Sequence, residues 1–78
     1  MNNKNCYLFF AGYYMVARAS DVLCRYNIEN RIVRAPVYMQ NSCNFALLIN
    51  GSDEDRSCIL LEREGICIEK KTYAARKF

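Results

Sequence analysis

Residues 31–47, RIVRAPVYMQNSCNFAL, hold the connection on which the fold depends. A predicted strand over about residues 30–34 comes first, a second predicted strand begins at Phe45, and the residues between them show no regular periodicity. Pro36, the only proline of the chain, fixes its own φ and disfavours helix at the residue before it. The loop therefore leaves the first strand in a restricted direction, and Cys43 lies where it enters the second.

Polar residues flank the Cys43 thiol at this corner. Ser42 precedes it and Asn44 follows it, and asparagine is one of the few non-glycine residues that tolerate a left-handed backbone. A left-handed Asn44 would turn the chain directly after the thiol. Arg34, at the end of the first strand, adds positive charge near the loop. The residues alone leave two interpretations open, a strand-start cysteine that faces the core or an exposed functional thiol.

An internal repeat predicts the overall fold. Residues 23–28 (LCRYNI) align with residues 61–66 (LEREGI), and the apolar residues 7–10 align with residues 45–48. The pattern of strand, helix, helix end and strand thus occurs twice. A duplicated βαβ unit predicts an α+β fold, the ferredoxin-like βαββαβ sandwich, with two helices on one face of a four-stranded antiparallel sheet.

The apolar spacing gives approximate element boundaries. The predicted strands cover about residues 6–11, 30–34, 45–49 and 66–73, and the predicted helices cover about residues 14–26 and 53–64. The first helix is predicted to bury Met15, Ala19, Val22, Leu23 and Tyr26, and the second Cys58, Leu60 and Leu61. Asn27 and Gly65 are the predicted left-handed helix ends. Ser52 or Asp53 can cap the second helix, and capping explains the acidic residues 53–55 better than a metal site does.

Composition narrows the class of protein. The 78 residues are predicted to form a single domain, residues 1–78, with an ordered core of about 6–73 and a basic tail over 74–78. The apolar runs are no longer than a strand, and the N-terminus lacks the apolar segment of a signal peptide, so we expect a cytoplasmic protein that does not cross a membrane. A net charge of +3 is too small to predict a nucleic-acid partner.

The cysteines and the absence of histidine exclude several site types. The chain has five cysteines without a CxxC pair, at positions 6, 24, 43, 58 and 67, and it has no histidine. We therefore expect no metal site, and no Ser-His or Cys-His nucleophile pair of the kind that hydrolases use. Four of the cysteines lie in predicted helices or strands, where a buried or half-buried thiol that fills the core is the simplest interpretation. Cys43 differs because it lies in the loop.

The strand, the proline loop and the Ser-Cys corner resemble the selenium/sulfur (Se/S) carrier protein-like family of small bacterial proteins. The hallmark of that family is a strand, a Pro-x-Pro loop and Ser-Cys-Gly leading into a strand. Pro36 corresponds to the second proline, and Ser42 and Cys43 to the serine and the cysteine. The chain departs from the hallmark at Arg34, in place of the first proline, and at Asn44, in place of the glycine. Asparagine is the next-best residue for a left-handed turn, so that departure is mild.

The resemblance implies a carrier that is not an enzyme and needs no cofactor of its own. Cys43 would accept sulfur or selenium from a donor enzyme, as a persulfide or selenenylsulfide, and pass it to an acceptor enzyme. This chemistry needs a thiolate. Arg34 and the backbone N–H groups of the turn are candidates to stabilise it, with Pro36, Ser42 and Asn44 shaping the loop.

Two other functions fit the same residues, and a third, RNA binding, fits them poorly. An activated Cys43 could serve as a thiol redox sensor. Alternatively, the aromatic residues exceed what so small a core needs, and some of Tyr7, Phe9, Tyr13, Tyr38 and Phe45 could mark a homodimer or partner surface of a non-enzymatic interaction module. Residues 7–12, YLFFAG, weakly resemble a signature of the RNA-recognition motif, but residues 44–49, NFALLI, lack its second signature, so we expect no nucleic-acid binding.

Overall fold

The computed structural model describes residues 4–35 and 44–75, in which four strands form one antiparallel sheet. The elements in chain order are β1 (Lys4–Phe9), α1 (Tyr13–Arg25), β2 (Asn30–Arg34), β3 (Phe45–Asn50), a 3-10 turn (Gly51–Asp53), α2 (Glu54–Arg63) and β4 (Lys70–Ala75). The strand order is β2-β3-β1-β4, and every neighbouring pair is antiparallel. Both helices contribute buried residues to the same core, which also takes residues from one face of the sheet. This arrangement confirms the predicted ferredoxin-like α+β sandwich.

The two faces of the sheet are buried differently. The helix-covered face contributes alternate strand residues to the main core, namely Cys6, Leu8, Leu47 and Ile49. The helices add Val16, Ala19, Val22 and Leu23 from α1 and Ser57, Leu60 and Leu61 from α2. On the opposite face, a smaller buried cluster consists of Phe9, Ala35 and Ala46, with Tyr7 and Ala74 packed against it. The alternation along each strand thus separates two apolar clusters.

The helical period predicts most of the buried stripe of each helix, and Met15, predicted to be buried, is half-buried. Tyr26, predicted to be buried, is the residue after α1 and is 43% exposed, whereas Val16 is buried. In α2 the buried stripe includes Ser57 rather than Cys58, because Ser57 lies three and four residues before the two buried leucines of that helix. Cys58 is half-buried beside the stripe. Among the described residues, no helix has the length and apolar character required to cross a membrane.

Both predicted left-handed helix ends are confirmed. Asn27 has φ 60° and Gly65 has φ 74°. The next residue in each case, Ile28 or Ile66, is buried, and its N–H donates to a carbonyl in the last turn of the helix, at 3.0 and 2.9 Å. These contacts match the hydrogen bonds and the apolar packing that end helices at a left-handed residue.

β4 begins at Lys70, four residues later than predicted, because its partner strand ends. The N–H of Glu69 donates to the carbonyl of Phe9 at 2.8 Å, and Phe9, the last residue of β1, pairs with Lys70. Residues 66–68 therefore pair with no strand in the described part of the chain, although Ile66 and Ile68 are buried or half-buried and Cys67 between them is exposed. The strand then extends to Ala75, two residues into the predicted tail.

Candidate functional site

Arg34 and Asn44, two of the residues predicted to support the loop thiol, lie where β2 ends and β3 begins. Arg34 pairs with Phe45, and the N–H of Ala35 donates to the carbonyl of Asn44 at 2.9 Å. The hydrogen-bonded ladder thus continues one residue beyond the two strands, so the two ends of the loop are held side by side. The other predicted site residues, Pro36, Ser42 and Cys43, lie outside the described residues.

Two of the predicted supporting residues can be placed more closely. Arg34 is exposed and lies on the helix-covered face of the sheet, because directly paired residues point to the same side and its partner Phe45 packs against the main core. Asn44 is exposed as well. Its φ angle is defined partly by an atom of Cys43, so the left-handed turn at Asn44 stays a prediction.

The N-terminus of α1 adjoins the same corner. The rings of Tyr13 and Phe45 meet edge to face, with centroids 5.3 Å apart and an interplanar angle of 75°. Gly12 occupies the capping position with extended backbone (φ −171°, ψ 175°), and it has no side chain that could accept a hydrogen bond from the first turn. The first turn also contains no acidic residue. Because the first N–H groups of a helix lack partners within it, this end carries partial positive charge, and Arg34 adds a full charge nearby.

α2 begins differently, with an acidic first turn. Asp53 occupies the predicted capping position, but its side chain makes no capping hydrogen bond. The preceding 3-10 turn sets its backbone at φ −98° and ψ 3°, whereas a capping residue usually has the extended backbone that points its side chain at the helix N–H groups. The predicted position is therefore confirmed and the predicted contact is wrong.

Glu54 links the start of α2 to β4. Its Oε2 accepts a hydrogen bond from the Tyr73 hydroxyl at 2.6 Å and lies 3.1 Å from the Lys71 ammonium. The Tyr73 bond, with Lys71 adding to it, lowers the pKa of the Glu54 carboxyl, and the same bond raises the pKa of Tyr73 to about 12. The acidic segment therefore anchors a strand. Within residues 4–35 and 44–75, no group of acidic residues and cysteines is arranged to hold a metal ion.

The four described cysteines occupy different environments. Cys6 is buried in the main core, and burial raises the pKa of its thiol to about 12. Cys58 is half-buried, and burial raises its pKa although the Lys71 ammonium, 3.8 Å from its Sγ, opposes the shift. Cys24 and Cys67 are exposed, so the expectation that they fill the core is wrong. Cys24 follows the last buried residue of α1, and Cys67 points outward between two inward isoleucines.

Cys58 and Cys67 line one cleft, which the sequence did not reveal. Its volume is about 280 Å³, and its lining residues are Cys58, Glu62, Cys67, Ile68, Glu69, Lys70 and Lys71. Cys58 and Glu62 are four residues apart on α2, and the rest belong to the segment that leads into β4 or to the first two residues of β4. The outward phase of Cys67 was visible in the sequence, but its position opposite α2 depends on how the chain returns from the helix to the sheet.

The aromatic residues are exposed mainly away from the sheet. Phe9 is fully buried, with the Lys70 ammonium 5.6 Å from its ring centroid, and Tyr7 is half-buried. The exposed aromatic residues are Tyr13, Tyr14, Tyr26 and Tyr73, whereas Tyr38 lies outside the described residues. RNA-recognition sheets stack bases on exposed strand aromatics. Here the most exposed aromatic residue, Tyr14, lies at the N-terminus of α1.

Comparison with known sequences agrees with the resemblance of the loop. A family model described as "Putative Se/S carrier protein-like" matches residues 5–72. This range includes the loop between β2 and β3, the N-terminus of α1 and the cleft beside α2. No curated protein and no solved structure matches the chain.

Proposed function

The chain belongs to the Se/S carrier protein-like family, and from this membership we propose that it carries sulfur or selenium on Cys43. The cargo is held as a persulfide or selenenylsulfide and passes between a donor and an acceptor enzyme. The observation that carries the proposal is the positive N-terminus of α1, whose capping residue Gly12 has no side chain and which packs through Tyr13 against Phe45. Phe45 is only two residues after Cys43 in the sequence.

A positive helix end supports a carrier role because the reactive form of cysteine is the thiolate. Positive charge near a thiol lowers its pKa and raises the thiolate fraction at neutral pH. The N–H groups at the start of α1 supply partial positive charge, and the Arg34 guanidinium supplies a full one at the end of β2. Arg34 replaces the first proline of the family's loop, so the loop loses the rigidity of that proline. In this proposal the positive charge of Arg34 compensates by stabilising the Cys43 thiolate.

The remaining supporting residues act on the shape of the loop. The hydrogen bond between Ala35 and Asn44 joins the two ends of the loop, so the thiol at residue 43 is one residue from a fixed point. In the proposal Pro36 restricts the first half of the loop, and Ser42 and Asn44 shape the turn around the thiol.

Transfer in both directions uses the same exchange. The Cys43 thiolate attacks the outer sulfur of a persulfide on the donor enzyme, a new S–S bond forms, and the donor cysteine leaves as a thiolate. An acceptor thiolate then attacks the outer sulfur on Cys43, which leaves as a thiolate in turn. The exchange conserves electrons, so the carrier needs neither a cofactor nor a catalytic base, and it is not itself an enzyme. Selenium is carried in the same way.

The setting of the carrier follows from its thiols. The four cysteines among the described residues are all free thiols. Free thiols are typical of a reducing compartment, which supports a cytoplasmic location.

The exposed Tyr14 at the positive corner supplies aromatic surface for a partner enzyme. Oxidation of the same activated thiol would make the protein a redox sensor, and the positive corner supports that second function equally.

The rate of alkylation of each cysteine as a function of pH tests the proposal, read by peptide mass spectrometry on the folded, reduced protein. We expect Cys43 to react first, with an apparent pKa well below the ordinary thiol value of about 8.5. Cys24 is the control, because it is exposed and lies in the last turn of α1, at the opposite end of the helix from Gly12. Cys43→Ser should fold normally and lose persulfide labelling, and Cys24→Ser should keep it. If Cys43 titrates like Cys24, the carrier and the redox sensor both lose their physical basis.

A further inference from the structure

The cleft beside α2 combines two thiols, a cation and an apolar wall outside the Cys43 loop. Cys67 is exposed, Cys58 is half-buried, and Ile68 and Lys71 lie on the same lining as both. A volume of about 280 Å³ is slightly below the usual range for sites that bind drug-sized ligands, and it suits a smaller molecule. A small molecule that binds in such a cleft can react with a thiol that lines it.

The two thiols of the cleft differ in how easily they can react. Cys67 is open to solvent, so a small disulfide can approach it. Cys58 is half-buried, and burial raises the pKa of its thiol. Its proton is therefore held more tightly, and its thiolate fraction at neutral pH is lowered. Cys67 is the thiol from which exchange begins.

Lys71 is the group that can select among small thiol compounds. Its ammonium has three N–H donors, of which one contacts the Glu54 carboxylate at 3.1 Å and another lies 3.8 Å from the Cys58 sulfur. The side chain is 40% exposed, and no described residue contacts the third donor, which leaves it for a carboxylate in the cleft. Glu62 and Glu69 balance the charges of Lys70 and Lys71 in the lining, so selection depends on direct contact rather than on net attraction.

From this arrangement we infer that the cleft is a second thiol site, where Cys67 forms a mixed disulfide with a small carboxylate-bearing thiol whose carboxylate binds Lys71. The Cys67 thiolate attacks one sulfur of the small disulfide, a new S–S bond forms and the old one breaks. The departing half leaves as a thiolate and takes up the proton that Cys67 released. Cys67 is oxidised, and the departing thiol is reduced. The site works without Cys43.

Two disulfides of similar size test this site, anionic dithiodipropionate and neutral hydroxyethyl disulfide. Both are added to the reduced Cys43→Ser protein, and adducts at Cys67 and Cys24 are followed by peptide mass spectrometry. The measured quantity is the ratio of adducts at Cys67 to adducts at Cys24. We expect this ratio to be roughly three- to fivefold higher with dithiodipropionate than with hydroxyethyl disulfide, because a carboxylate–ammonium contact near the surface is weak. Lys71→Gln should abolish this difference. Lys70→Gln should keep it, because the Lys70 ammonium lies over the Phe9 ring.

The Cys43→Ser protein that retains Lys71 decides the test, even if the Lys71→Gln variant folds poorly. Equal Cys67 to Cys24 ratios for the two disulfides would show that the cleft does not select a carboxylate, and the inference would be wrong. The same holds if Lys71→Gln folds and retains the difference. Since Cys43 is serine throughout, neither result bears on the loop thiol.

Discussion

At the scale of single residues, Ser57 shows that helical position alone can bury a polar side chain. Ser57 is fully buried in α2, and its Oγ has no hydrogen-bond partner among the described residues. A buried hydroxyl without a partner costs about 1–3 kcal/mol of desolvation. Cys58, one residue later, is only half-buried, although its side chain is the less polar of the two. The direction of the helix face decided which side chain is buried, and polarity did not.

Ser57→Ala is expected to stabilise the protein. The change removes the unpaired hydroxyl and adds helix propensity, so the free energy of unfolding should rise by about 1 kcal/mol. Ser20→Ala is the matched control, because the Ser20 Oγ donates to the Asn30 side chain at 2.6 Å and its loss should lower stability. Urea denaturation of both variants measures the two signs. A lower stability for Ser57→Ala would mean that the hydroxyl is satisfied in solution.

At the scale of elements, the two helices begin with opposite electrostatics. α2 has Glu54 and Asp55 in its first turn and Asp53 at its capping position. α1 has Gly12 at its capping position and no acidic residue in its first turn. Acidic residues at a helix N-terminus usually stabilise the helix, and the first turn of α1 supplies none to offset its positive end. That end adjoins the strand that follows Cys43.

Gly12 offers a direct test of whether this helix end acts on Cys43. Apart from its chain neighbours, no described residue lies within 4 Å of the position that a Cβ at Gly12 would take, and the backbone is extended, so a side chain fits. Gly12→Asn and Gly12→Asp should each raise stability by a few tenths of a kcal/mol through capping. Only Gly12→Asp adds negative charge, and it should raise the pKa of Cys43 and slow its alkylation at pH 7. Equal alkylation rates in the two variants would show that the α1 end does not act on the thiol.

At the scale of the whole molecule, the Glu54 cluster joins parts of the chain that are distant in sequence. Tyr73 and Glu54 are 19 residues apart, and their hydrogen bond holds the edge strand β4 against the start of α2. The folded Glu54 carboxyl has a pKa below its ordinary value of 4.5. Because the folded state binds this proton less tightly than the unfolded state, the contribution is present above pH 4.5 and is lost as the pH falls through the lowered pKa.

Glu54→Gln should remove this part of the acid sensitivity. The pair is solvent-screened, so the variant should be less stable at pH 7 by no more than about 1 kcal/mol, and the difference should vanish in acid. Urea denaturation at a series of pH values checks this. Glu62→Gln, which removes the same charge from α2 without removing the Tyr73 bond, should show a smaller difference. An unchanged pH profile for Glu54→Gln would contradict a role for the cluster in stability.

Part of the loop site could be predicted from local sequence, and part of it depends on tertiary contacts. Sequence spacing identified Arg34 and Asn44 as the ends of the loop, and the strand pairing confirms that they flank it. The contact between Tyr13 and Phe45 was not predicted, since it joins a helix start to a strand 32 residues further along the chain. The role of Cys43 stays a prediction.

The sequence by itself determined the features that depend on neighbouring residues. Apolar periodicity gave the strands, the helices and most of the buried stripes, and Asn27 and Gly65 marked the helix ends because left-handed backbone selects those residue types. Only the tertiary structure decided where β4 begins, that Glu54 binds Tyr73, that Asp53 makes no capping hydrogen bond, and that two cysteines share a cleft. A strand needs a partner strand to pair with, and a cleft needs two walls. Both depend on contacts between segments that sequence spacing does not encode.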